Sequence, residues 1–172
     1  MECIEAIKGR RSIRKFKDQT VGKEIIDELL NAAQMAPSAG NLQARDFIVI
    51  SNKITKQKLT KAALGQSFIE QAPIVIVVIA NIERSSRIYK SRGELYAIQD
   101  ASAGLENMLL AAYSMGLGAC WVGAFDENQV SELLGIPNKT LPVAIIPVGY
   151  PDEQPPSPPR IAIDRLVHWE TW

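Results

Sequence analysis

Apolar residues recur along this chain in two rhythms, and the change from one to the other divides it into elements. Glu2 to Lys8 carries a short helical pattern. Lys23 to Met35 carries a longer one, in which Ile26, Leu29, Leu30 and Ala33 share a face until Pro37 stops the helix. Phe47 to Ser51 is a compact apolar run suited to a strand, and Lys56 to Leu64 is Lys-rich and helical before Gly65. Ile74 to Ala80 is β-branched without alternation, so this strand is expected to be covered on both faces. The strongest helical signal runs from Tyr96 to Met115, where Ile98, Ser102, Leu105, Met108, Leu109 and Ala112 are spaced in threes and fours and Gly116 is placed to cap. A helix that apolar belongs at the centre of a fold.

Further on, Ala119 to Val122 reads as a strand. Asp126 reads as an N-cap, with Gln129 three residues later, for a helix that closes at Gly135 before Pro137. Pro142 to Gly149 is the last apolar strand. The tail from Tyr150 to Trp172, with Pro151, Pro155, Pro156, Pro158 and Pro159, is expected to lie extended over the rest. Helices and strands mix without strict βαβ alternation, which favours an α+β layered domain over a doubly wound parallel sheet. Between Ala80 and Tyr96, the residues Arg84, Arg87, Lys90 and Arg92 read as a solvated basic loop, or as one that attracts an anionic donor or acceptor.

Composition fits one globular domain over residues 1–172, with 47% hydrophobic and 22% charged positions. Lys plus Arg equals Asp plus Glu at 19 each, so there is no basic field of the kind that holds nucleic acid. Glu2, Glu5 and Lys8 fall where a signal peptide would need apolar residues, and the longest apolar run, Ala72 to Ala80, is too short for a bilayer. A soluble cytoplasmic protein with no membrane partner is expected. Cys3 and Cys120 lack disulfide or metal spacing and read as core-type residues. His168, the only histidine, has neither a nucleophile motif nor a zinc shell to join and reads as structural or surface-exposed.

Three segments carry candidate chemistry. Arg10, Arg11 and Arg14 lie within five residues, with Ser12 among them. Guanidinium groups match phosphate oxygens two at a time, and a hydroxyl adds another donor. Ile13 and Phe16 interleave with them, so the stretch reads as partly buried extended chain whose arginines need an anionic partner, either a carboxylate of the protein or a ligand. The second segment, Ala36 to Gln43, breaks a good helix with small residues, turn formers and two side-chain amides. In the third, Gly118 to Asp126, Gly123 and Ala124 stand at a strand end where bare backbone N–H groups can face a flat ligand. Gly116, Gly118 and Gly123 do not make a dinucleotide loop, because they follow a long helix instead of opening one. Caps and close backbone approach account for Gly116 and Gly118.

Taken in order, the arginine–serine cluster, Pro37-Ser38 with Asn41 and Gln43, Trp121-Val122-Gly123-Ala124-Phe125 and Pro147-Val148-Gly149-Tyr150-Pro151 resemble the nitroreductase family of FMN-dependent oxidoreductases over nearly the whole chain. The resemblance implies an α+β nitroreductase-like layered domain with a central mixed, largely antiparallel sheet covered by helices. It also implies a homodimer with FMN at the subunit interface. Arg10, Ser12 and Arg14 would hold the phosphate and ribityl chain, and Arg11 would reach the polar edge of the ring. Pro37, Ser38, Ala39 and Asn41 would cover the flavin from the partner subunit. Val122, Gly123 and Ala124 would line its reactive side, with Gly123 and Ala124 presenting backbone. Arg160 would return to the phosphate, with Arg165 as a competing choice, and Gln66 would meet the pyrimidine edge. No side chain is expected to be catalytic in its own right and no metal is expected, because flavin supplies the chemistry.

The implied activity is hydride transfer from NADH or NADPH to a nitroaromatic, quinone or similar conjugated electrophile by a ping-pong mechanism. Two alternatives stay open: an FMN-binding storage or electron-transfer protein with little turnover, and an interaction module whose arginines pair with its own acids. The sequence departs from the family pattern at Ala44-Arg45, where relatives place a proline and an aromatic residue, and in the shortness of the span from Ala80 to Tyr96.

Overall fold

The computed structural model describes residues 2–172. Helix α1 (Cys3–Gly9) opens with the Glu5 carboxylate accepting from the Glu2 N–H at 3.2 Å, a local tie that occupies one otherwise unpaired donor of the first turn. Helix α2 (Lys23–Gln34) buries Leu29 and Ala33 and ends before a tight turn at Ala39–Asn41. Strand β1 (Arg45–Ile50) leads to α3 (Lys53–Ala62), which begins three residues before the Lys-rich pattern because Asn52 caps it, accepting from the Thr55 N–H. The short α4 (Phe68–Gln71), which the sequence pattern does not announce, precedes β2 (Ile74–Ala80). Next come α5 (Ile82–Tyr89) and the long α6 (Gly93–Ser114). Strand β3 (Gly118–Ala119), α7 (Glu127–Leu134) and β4 (Leu141–Gly149) complete the domain.

The strands form one four-stranded sheet in the order β1-β2-β4-β3, antiparallel at every pairing. The mixed character expected of the sheet reduces to a single parallel bridge between Ser12 and Ala119. All seven residues of β2 are buried, as its unbroken apolar run predicts. Successive side chains point to opposite faces. Ile76, Val78 and Ala80 therefore join one core with Leu29 of α2 and Leu105 and Met108 of α6, while Val75, Val77 and Ile79 join a second with Leu59 of α3 and Val130 of α7. Helices cover the sheet on both sides.

Three expectations change. The basic span after Ala80 is not a loop: Asn81 caps α5 by accepting from the Arg84 N–H at 2.9 Å, and Arg87 pairs with Glu83 one turn away. The strand expected over Ala119 to Val122 stops at Ala119, and Val122 rejoins the sheet only as an isolated pair with Ile145. Cys3, read as a core-type residue, is exposed, whereas Cys120 is buried. His168 is exposed and stacks on Trp172 with ring centroids 4.4 Å apart. The tail is extended apart from a single turn at Ile163–Arg165. No described helix is long and apolar enough to cross a membrane.

Candidate functional site

The arginine cluster owes its position to backbone pairing on two sides. The Ile13 N–H donates to the Ala119 carbonyl at 3.0 Å, which ties the segment to the end of β3. On its other side the start of the tail runs alongside: Lys17 N–H donates to the Tyr150 carbonyl and Asp152 N–H to the Lys15 carbonyl, each at 2.9 Å. The Glu153 carboxylate accepts from the Arg14 and Lys15 N–H groups. Ile13 is buried and anchors the stretch, so the flanking Ser12 and Arg14 turn away from the core.

This pairing leads residues 155–160 back across the cluster. Arg10, Arg11, Ser12 and Arg14 face Pro155, Pro156, Pro158 and Arg160 around a cleft of about 350 Å³. Arg160 is among its lining residues and Arg165 is not. Four arginines thus line one small volume, and no acidic residue lines it. Arg10 Nε is buried without a hydrogen-bond acceptor, its nearest acidic neighbour being Glu106 at 3.5 Å. Arg11 Nη1 donates to the Lys8 and Arg10 carbonyls at 2.8 and 2.7 Å, capping α1 and leaving Nε and Nη2 for a ligand. Arg14 lies over the Phe68 ring, 5.7 Å from its centroid, a cation–π contact that turns it toward α4.

A second surface adjoins on the side of α4. Gln66 Nε2 donates to the Ala63 and Ala124 carbonyls, each at 3.0 Å, and so fixes the turn containing Gly123 and Ala124. Both residues are exposed, and neither N–H is engaged by another backbone group among the described residues. Val122 is buried beneath them, exchanging both backbone hydrogen bonds with Ile145 at 3.0 Å. The Cys120 thiol lies nearby, pushed above its ordinary range by burial, with Arg14 and Ser12 acting in the opposite direction.

Pro37, Ser38, Ala39 and Asn41 occupy a different place. They form the loop after α2, and none of them lines the arginine cleft. Pro37 and Asn41 are exposed, and Ser38 Oγ accepts from the Gln43 N–H at 3.0 Å. Arg45, noticed in the sequence only as a departure, lies behind this loop. Its side chain is fully buried and ion-paired with Asp100 of α6. Breaking such a pair by removing one partner costs about 3–5 kcal/mol. The legible signal was Asp100 itself, an acid on the stripe of α6 that carries Ala97, Ala101 and Gly104.

The comparisons with known proteins agree with this architecture. A nitroreductase family model matches residues 7–68 and 55–150. A protein of Methanothermobacter thermautotrophicus is 38% identical over the whole of this chain and 88% of its own length. The FMN reductase (NADPH) of Bacillus subtilis is 31% identical over 98% of the chain and 74% of its own. Among solved structures, the NADPH:FMN oxidoreductase of Vibrio harveyi, complexed with NAD+, superposes with a TM-score of 0.92 at 29% identity, covering 99% of this chain and 77% of its own. The chain belongs to the nitroreductase family.

Proposed function

We propose that this chain is an FMN-dependent oxidoreductase that takes hydride from NADH or NADPH and passes it to a nitroaromatic, quinone or similar conjugated electrophile. The observation that carries the reading is the convergence of Arg10, Arg11, Ser12, Arg14 and Arg160 on one cleft. A phosphate monoester brings about two negative charges and three acceptor oxygens, which suits several guanidinium groups and a hydroxyl. Arg10 Nε, buried and without a hydrogen bond although ion-paired with Glu106 at 3.5 Å, fits such an anion as well. Bound FMN supplies the hydride chemistry, which leaves the protein to bind, orient and expose it.

The chain's own residues divide that work. Arg10, Ser12, Arg14 and Arg160 would hold the phosphate end. The free N–H groups of Gly123 and Ala124, fixed by Gln66 and underpinned by Val122, would face the flat ring. With Nε2 used on Ala124, Gln66 would offer its amide oxygen to the imide edge. Arg11 would reach the ring edge through the nitrogens not spent on α1. Pro37, Ser38, Ala39 and Asn41 do not line the cleft of their own chain, which supports a homodimer in which they cover the flavin held by the partner. The exposed Ile161, Ile163, Leu166, Trp169 and Trp172 of the tail supply apolar surface for such an association.

Donor and acceptor would use one open face in turn. Parallel initial-rate lines with varied NADH or NADPH and acceptor are expected; converging lines would overturn the ping-pong scheme. A storage protein would keep its flavin oxidised after anaerobic addition of NADH or NADPH, whereas rapid bleaching is expected here.

A further inference from the structure

Behind the loop proposed to cover the flavin stands a buried polar assembly that nothing in the flavin chemistry requires. Arg45 Nη1 ion-pairs with Asp100 Oδ1, and Arg45 Nη2 donates to the Gln34 and Ala36 carbonyls at 2.8 Å each. Asp100 Oδ2 accepts from the Ala44 N–H at 2.6 Å. One arginine thus binds the chain where it leaves α2, and its carboxylate partner binds it where it enters β1. Everything between is the loop. Space for the guanidinium comes from Gly104, where a Cβ would meet Arg45 Cδ and the Ala33 carbonyl, each at 3.0 Å.

The loop so held adopts a conformation that side chains resist. Gly40, Asn41 and Gln43 have φ of 57°, 54° and 51°, and two of the three are not glycine. Such backbone persists only where its surroundings over-determine it. A second tie comes from α5: Arg84 Nη1 donates to the Gln43 and Arg45 carbonyls, and its Nη2 pairs with Asp46 at 3.0 Å.

We propose that Arg45 and Asp100 are positioning residues for the flavin, a buried strut that presets the loop at residues 37–43 in the shape that closes over the ring. The inference rests on the reading of this loop as a wall of the flavin site. It adds that the wall is built before the cofactor arrives, so FMN does not have to order it. Pre-ordering lowers the entropic cost of binding, and it gives Arg45, in place of an aromatic side chain, a purpose at that position.

The test uses the full-length protein with FMN. The FMN dissociation constant and the visible circular dichroism of bound flavin are measured for Arg45→Lys, Asp100→Asn and the charge-free double variant Arg45→Met/Asp100→Leu. Val130→Ala, a cavity in the opposite core, is the stability control, and Arg10→Ala tests the parent reading. Each strut variant is expected to weaken FMN at least tenfold and to change the flavin dichroism, while Val130→Ala lowers the unfolding temperature with FMN affinity within twofold of wild type. FMN affinity within twofold in any folded strut variant, alongside loss in Arg10→Ala, overturns the strut and leaves the site reading intact. Unchanged affinity in Arg10→Ala overturns the site reading itself. Wild-type protein gives a readout even if every strut variant misfolds: the Gln43 and Ala44 amides should exchange equally slowly with and without FMN. Free-loop exchange rates without FMN would overturn the proposal.

Discussion

Ile13 packs onto the bare Cα of Gly118 so closely that a Cβ there would lie 2.8 Å from three atoms of the Ile13 side chain. The contact holds the arginine cluster against the sheet. Ile13 is the buried residue between Ser12 and Arg14, and its N–H reaches the Ala119 carbonyl beside that glycine. Gly118→Ala is therefore expected to push Ile13 outward and to destabilise the fold by about 1–3 kcal/mol, the usual range for overpacking. Chemical denaturation measures the loss, and FMN titration should show weakened binding in the same variant.

Arg160 and Arg165 lie five residues apart on the same tail, yet only the first lines the cleft. A charge-assisted hydrogen bond is worth about 1.5–3 kcal/mol, so Arg160→Ala should weaken FMN roughly 10- to 100-fold. Arg165→Ala should leave affinity within twofold. Fluorescence titration of the two variants side by side tests the proposed role of Arg160 at the phosphate.

The proposed sharing of the site between two chains makes a prediction about mixtures. Arg10→Ala damages the cleft, and Asn41→Pro damages the loop by imposing φ near −65° where the backbone has φ of 54°. If the loop serves the partner's flavin, one site of each mixed dimer carries both defects and the other carries none. Random pairing of equal amounts should then restore about a quarter of all sites to tight binding, from the two-fold symmetry alone. A loop serving its own chain would restore none.

The two thiols should separate by reactivity. Cys3 is exposed, whereas burial holds the Cys120 thiol above its ordinary pKa. In folded protein one equivalent of a thiol reagent should react quickly, and the second should wait for unfolding. The linkage has a definite sign. A pKa raised by folding gives a stabilising contribution that is complete below the unfolded thiol's pKa and is lost as pH rises through the folded value. Relative to wild type, Cys120→Ala should therefore lose less stability as the medium is made alkaline, a difference that thermal melts across that range will show.

Much of the fold was legible because burial and periodicity coincide. β2 occupies the residues of its apolar run, α7 opens at Asp126, and α6 carries the stripe of Leu105, Met108 and Ala112. Legibility failed where local signals were outvoted. Residues 82–89 looked like a basic loop because their charges hid an Asn81 cap and a Glu83–Arg87 pair. The strand expected up to Val122 is interrupted after Ala119, because Pro147 opposite accepts from the Cys120 N–H at 3.3 Å but has no N–H to donate back, and the reciprocal pairing resumes in the same register at Val122 and Ile145.

Of the candidate site, three arginines and a serine on one short stretch, a loop of small residues after α2, and Gly123 and Ala124 after β3 were legible in the sequence. These follow from side-chain chemistry and from glycine and proline positions, which are local. Which distant groups lie beside them follows from the packing of the layers. Arg160 faces the cluster because residues 150–153 pair with residues 14–17, and Asp100 meets Arg45 because α6 crosses behind β1. Contacts between residues 55 or 146 positions apart depend on how the layers pack, and no local pattern records that.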